Sequence, residues 1–144
     1  MWPQIPHSSW LGEPANLNET HPQPNQIRRL QQVLDDLERR GIPDSDMIAI
    51  SLFREVTNAL ETLKKRYDKL RAGTIHTAQG REANVVFLVL GGTADRPGAK
   101  AWAAQTVNLV TVAASRAKRR LYVIGDRAEW AKYNYFQQLS AVLE

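Results

Sequence analysis

An α/β fold with a mostly parallel sheet is predicted by three features of this 144-residue sequence. Short apolar runs alternate with amphipathic stretches of helical period. The clearest run, residues 84–90, is apolar at every position from Val85 to Leu90, as a strand is when both its faces are covered. Hydrophobic residues make up 43% of the chain, enough for one domain-sized core. Strands and helices in alternation build a three-layer domain with helices packed against a parallel sheet.

Each element has its own local reason. Residues 1–24 hold Pro3, Pro6, Pro14, Pro22 and Pro24, so they read as an irregular lead-in with one short extended piece near Trp10-Leu11. The domain proper is expected over residues 25–144. From Asn25, Ile27, Leu30, Leu34 and Leu37 recur on one helical face, and Gly41 ends the helix. Residues 46–51 form a short apolar strand. Val56, Ala59, Leu60, Leu63, Tyr67 and Leu70 mark a second amphipathic helix. Residues 73–77 read as a strand that turns at Gln79-Gly80, and 84–90 as the buried strand stopped by Gly91-Gly92. A helix is expected over 101–117 and a final strand over 121–125. A C-terminal helix then uses Trp130, Tyr133, Phe136, Leu139 and Val142 as its core face.

Composition excludes several classes of chemistry. There is no cysteine, so disulfide frameworks, cysteine zinc sites and cysteine nucleophiles are ruled out. His7, His21 and His76 lack metal-ligand spacing. No basic segment followed by an apolar run opens the chain, and Val85–Leu90 is too short to span a bilayer. A soluble, intracellular, cytoplasmic protein without membrane contact is the expectation. The formal net charge is +4, with basic clusters at Arg28-Arg29, Arg39-Arg40, Lys64-Lys65-Arg66 and Lys118-Arg119-Arg120. Such clusters are solvated helix faces or phosphate contacts. The first two read as solvated faces.

Ligands of open α/β sheets bind at the carboxyl ends of strands. One such end carries Gln79, Gly80 and Glu82, where a residue without Cβ lets backbone approach a phosphate closely. The plain alternative is a simple turn with a solvated carboxylate. Arg116 follows the small residues Ala113, Ala114 and Ser115. A guanidinium there suits the spread charge of a phosphoryl group. It equally suits a helix C-terminus. The sequence contains no G-x-x-x-x-G-K-[ST] loop and no acidic pair after an apolar strand to hold magnesium. If the domain handles a nucleotide, it supplies half of the site.

The order of these pieces matters more than any one of them. Gly73-Thr-Ile-His-Thr-Ala-Gln-Gly-Arg-Glu-Ala-Asn-Val-Val86 resembles motif V of superfamily 1 helicases. Val107-Asn-Leu-Val-Thr-Val-Ala-Ala-Ser-Arg-Ala-Lys-Arg-Arg-Leu-Tyr-Val-Ile-Gly-Asp126 resembles motif VI, and Ala49-Ile-Ser-Leu-Phe-Arg54 resembles motif IV. The pattern is most similar to the branch that includes RNA-surveillance and flap-processing helicases, and it covers residues 25–130. Two departures stand out: Leu52 where the family often has proline, and Ala114-Ser115 where it has a bulky residue and threonine.

The resemblance implies a second, C-terminal RecA-like domain of the P-loop NTPase type that itself lacks the P-loop. It implies that Arg54 and Arg116 are arginine fingers on the γ-phosphate of ATP. It implies that Gly80 meets the nucleotide through backbone and Glu82 near the ribose or phosphates. Gln79 would couple the nucleotide cleft to the nucleic-acid groove, and Thr74 would touch the nucleic-acid backbone. ATP with Mg2+ would be bound mainly by a first RecA-like domain of the same parent chain. Single-stranded DNA or RNA would be the track. Two other classes share the fold: a non-unwinding NTPase lobe in signalling or defence, and a nucleotide-independent scaffold.

Overall fold

The computed structural model describes residues 9–14, 23–51, 54–74, 83–91 and 117–130. Its elements are β1 (Ser9–Gly12), α1 (Pro24–Arg39), β2 (Met47–Ser51), α2 (Arg54–Glu61), β3 (Arg71–Thr74), β4 (Ala83–Val89), β5 (Ala117–Gly125) and α3 (Arg127–Trp130). The strands form one sheet in the order β1-β5-β4-β2-β3, and every pairing among the described residues is parallel. This is the predicted α/β class, a parallel sheet of the RecA-like kind.

The core is centred on β4, flanked by β5 and β2. Val85 to Leu90 are all buried, as the unbroken apolar run requires. Phe87 lies opposite Tyr122 on β5 and Ala49 on β2. Its ring stacks on Tyr122 with centroids 5.3 Å apart and planes 14° apart. Such cross-strand pairs lock neighbouring strands in register.

Helix α1 begins at Pro24, whose missing N–H costs nothing in a first turn. Asn25 Nδ2 donates to Pro14 O at 2.8 Å, which ties the start of the helix to the chain leaving β1. The helix ends in paired 6→1 and 5→2 bonds, from Ile42 N–H to Leu37 O and from Gly41 N–H to Glu38 O, both 3.0 Å. Gly41 sits at φ 88°, the left-handed residue of that C-terminal motif. The buried face is Gln26, Leu30, Leu34 and Leu37. Ile27, expected in that stripe, is only half-buried.

The second helix is shorter than its sequence pattern. α2 stops at Glu61, a 3-10 turn covers Thr62–Lys65, and β3 starts at Arg71 rather than 73. The chain must reverse in these few residues to enter β3. Tyr67 anchors the reversal. Its hydroxyl donates to Asp35 of α1, and Arg66 pairs with the same carboxylate at 3.1 Å. Burial and the Asp35 carboxylate push the phenol up to about 12, so it stays a neutral donor near pH 7. Right-handed crossovers carry α1 and α2 to the same face of the sheet, which this contact requires.

Two further expectations change. The extended piece in the lead-in is β1, a full edge strand with Trp10 opposite Val123; the sheet therefore begins before residue 25. β5 begins at Ala117, four residues earlier than its apolar core implies. The basic run 118–120 belongs to the strand, because parallel pairing with β4 continues back to Ala83 through a register shift. The helix expected over 101–117 and most of the C-terminal helix lie outside the described residues. No helix among those described is long and apolar enough to cross a membrane.

Candidate functional site

Because all strands run the same way, the sheet has one amino edge and one carboxyl edge. At the carboxyl edge Ser51 pairs with Thr74, and α2 opens at Arg54 just beyond Ser51. At the amino edge Ala83 pairs with Ala117. Each of those alanines follows directly on a candidate residue, Glu82 and Arg116. Adjacent strands lie about 4.8 Å apart and each bonded Cα adds about 3.8 Å, so the chain enters β4 and β5 with these two residues as near neighbours in sequence to a paired position.

The seven residues of β4 hold the two edges about 20 Å apart at ~3.3 Å per residue. The body of the sheet stands between them. The structure thus brings Thr74 and Arg54 to one edge and the entries to β4 and β5 to the other. The backbone sets the start of α2 and the start of β5 at opposite edges of the sheet. Gln79, Gly80, Glu82 and Arg116 themselves lie outside the described residues, as do the side chains of Arg54 and Thr74.

A further constellation sits past the carboxyl end of β4, on the side of β5, where Leu90 N–H donates to Ile124 O at 2.9 Å. Gly91, two residues past the end of β4, sits at φ 61°, where glycine avoids the Cβ penalty. Its N–H donates to Gln26 Oε1 at 2.8 Å, and its carbonyl accepts the Trp130 indole N–H at 3.4 Å. Gln26 and Trp130 are both fully buried. Among the described residues, the buried Gln26 Nε2 has no hydrogen-bond partner. The sequence carried a signal for this residue: position 26 precedes Leu30 and Leu34 at intervals of four, so a glutamine occupies an apolar register.

The basic clusters separate on inspection. Arg39 and Arg40 both approach Asp36, at 3.7 and 3.2 Å, which agrees with their reading as a solvated face. Lys64 and Lys65 are exposed on the 3-10 turn. At the other edge of the sheet, the Arg127 guanidinium lies 5.6 Å above the Trp10 ring. No three His, Asp or Glu side chains among the described residues converge as a metal site.

A family model described as AAA domain matches residues 13–128. No curated protein matches the chain.

Proposed function

The chain belongs to the AAA domain family over residues 13–128, and from that premise we propose that it is the second, C-terminal motor domain of an ATP-driven nucleic-acid helicase or translocase. The observation that carries the reading is the Ala83–Ala117 register. It joins the end of the motif V-like stretch to the motif VI-like stretch on adjacent strands at one edge of the sheet.

On this reading the amino edge faces the nucleotide. Arg116 is the arginine finger, and Gly80 and Glu82 line the same cleft, with Gln79 linking it to the nucleic-acid side. Phosphoryl transfer asks for positioned positive charge rather than covalent chemistry. A guanidinium carried on a separate domain makes hydrolysis depend on closure of the cleft. ATP binds the closed arrangement more tightly and shifts the population toward it, and hydrolysis releases it. Magnesium and the phosphate cradle belong to the P-loop domain, since this sequence contains no such loop.

The carboxyl edge faces the nucleic acid. Thr74 meets the backbone of a single strand there. Arg54, which shares that edge, meets a backbone phosphate rather than the γ-phosphate. Phosphate contacts of this kind position the strand without reading its sequence.

The reading has a direct test on the chain as it stands. With Mg2+ and ATP, with or without single-stranded nucleic acid, the isolated 144-residue chain shows no turnover above background. Robust hydrolysis by the isolated chain contradicts the two-domain account.

A further inference from the structure

We propose that Tyr122 is a stacking platform for one unstacked base of a single-stranded nucleic acid. The proposal rests on the reading of the carboxyl edge as the nucleic-acid side, and it gives a role to a residue that the site described above does not use.

Tyr122 stands on the sheet face that also carries Phe87 and Ser9, its direct partners on β4 and β1. Phe87 occupies one face of its ring, with centroids 5.3 Å apart and planes 14° apart. Ser9 is the neighbour on the other side, and a serine side chain is too short to cover a ring. β1 is the last strand of the sheet among the described residues, so no further strand among them pairs beyond Ser9. Phe87 is fully buried, whereas Tyr122 and Ser9 each keep part of their surface in solvent. Leu11, on the same face two residues beyond Ser9, is also partly exposed. The described residues thus form a stack of two rings that ends at a serine.

The outer ring is held in place. Arg120, two residues earlier on the same strand, donates from its guanidinium to the Tyr122 hydroxyl at 3.2 Å. Pinned between that bond and Phe87, the ring offers a planar surface at little further cost in side-chain entropy. Arg120 is itself partly exposed and sets a positive charge beside the ring, where the phosphate of a stacked nucleotide brings the opposite sign. Sheet-borne aromatic rings stack bases in this way with little regard to sequence, because every base has a π-face. Position along the strand favours a nucleic acid over the nucleotide. Tyr122 is three residues from Gly125 at the carboxyl end of β5 and five from Ala117 at its amino end, and on the reading above the amino edge belongs to ATP.

The test measures binding of the intact parent protein to two single-stranded oligonucleotides of equal length, one with bases and one whose sugars carry none. Tyr122→Leu keeps an apolar side chain against Phe87 and removes the ring; Tyr122→Phe keeps the ring. Tyr122→Leu is expected to weaken binding of the base-bearing strand by about five- to a hundredfold, the worth of one base–aromatic stack. Its affinity for the base-free strand and its thermal midpoint stay unchanged, and Tyr122→Phe stays close to wild type on both strands. Wild-type affinity in Tyr122→Leu overturns the proposal, and so does equal weakening on both strands or a loss that only tracks loss of folded protein. A loss in Tyr122→Phe as large as in Tyr122→Leu assigns the effect to the hydroxyl and overturns the stack. A raised KM for ATP in Tyr122→Leu, with strand binding unchanged, puts a mononucleotide on the ring and overturns it too. If the wild-type protein binds neither strand, the underlying nucleic-acid reading fails. If it prefers the base-bearing strand and Tyr122→Leu keeps that preference in full, this inference alone fails.

Discussion

Replacing Arg116 with alanine in the intact parent protein is expected to lower ATP turnover by about 10³–10⁵-fold, the contribution of an arginine finger in P-loop enzymes. ATP binding should survive, because the cradle for the phosphates lies on the other domain. The finger's charge matters most as negative charge redistributes in the transition state, so the loss falls on kcat rather than on affinity. Arg54→Ala supplies the contrast. Based at the opposite edge of the sheet, it should weaken the response to nucleic acid and leave unstimulated turnover intact. Steady-state kinetics with a nucleotide-binding titration separate the two variants. Equal loss of unstimulated turnover in both would return Arg54 to the nucleotide.

The second large effect concerns the fold. Phe87→Ala should destabilise the domain by about 3–5 kcal/mol, the usual cost of emptying a buried aromatic site. Phe87 is fully buried on the central strand, stacked on Tyr122 and opposite Ala49. Ala49 on that side is too small to collapse into the space. Domains of this size are stable by about 5–15 kcal/mol in total, so one substitution removes much of the margin. Urea unfolding followed by circular dichroism reads this directly. A change under about 1 kcal/mol would mean that the β4 layer is not the core.

How far the sequence reached depends on the kind of signal. The run Val85 to Leu90 declared a strand covered on both faces because every position is apolar, and burial at each position agrees. The Leu30, Leu34, Leu37 spacing declared α1, and Gly41 its end. Residues whose role is set by tertiary partners were harder. The α2 pattern continues through Tyr67, yet the helix stops at Glu61, because Tyr67 is recruited by Asp35 on another helix. β1 was legible only as an extended piece, since an edge strand of four residues carries little periodicity of its own. The start of β5 was hidden by Lys118, Arg119 and Arg120, charges that no strand pattern calls for.

The candidate site was legible as residue types in order, and not as geometry. Motif-like spacing named Arg54 and Arg116 together. Only the strand register shows that their segments meet the sheet at opposite edges. The partner of Gln26 is not legible in the sequence, because a glutamine in an apolar stripe is a one-residue anomaly. Its meaning depends on Gly91, 65 residues away, and local reasoning cannot see that contact.

The central claim is that this domain completes a motor whose ATP turnover is tied to a nucleic-acid strand. The most direct measurement is ATP hydrolysis by the intact parent protein at fixed low salt, with and without single-stranded DNA and with and without single-stranded RNA. The account predicts strong stimulation by at least one of the two, which also identifies the track. Turnover indifferent to both would contradict it and leave a non-unwinding NTPase in its place.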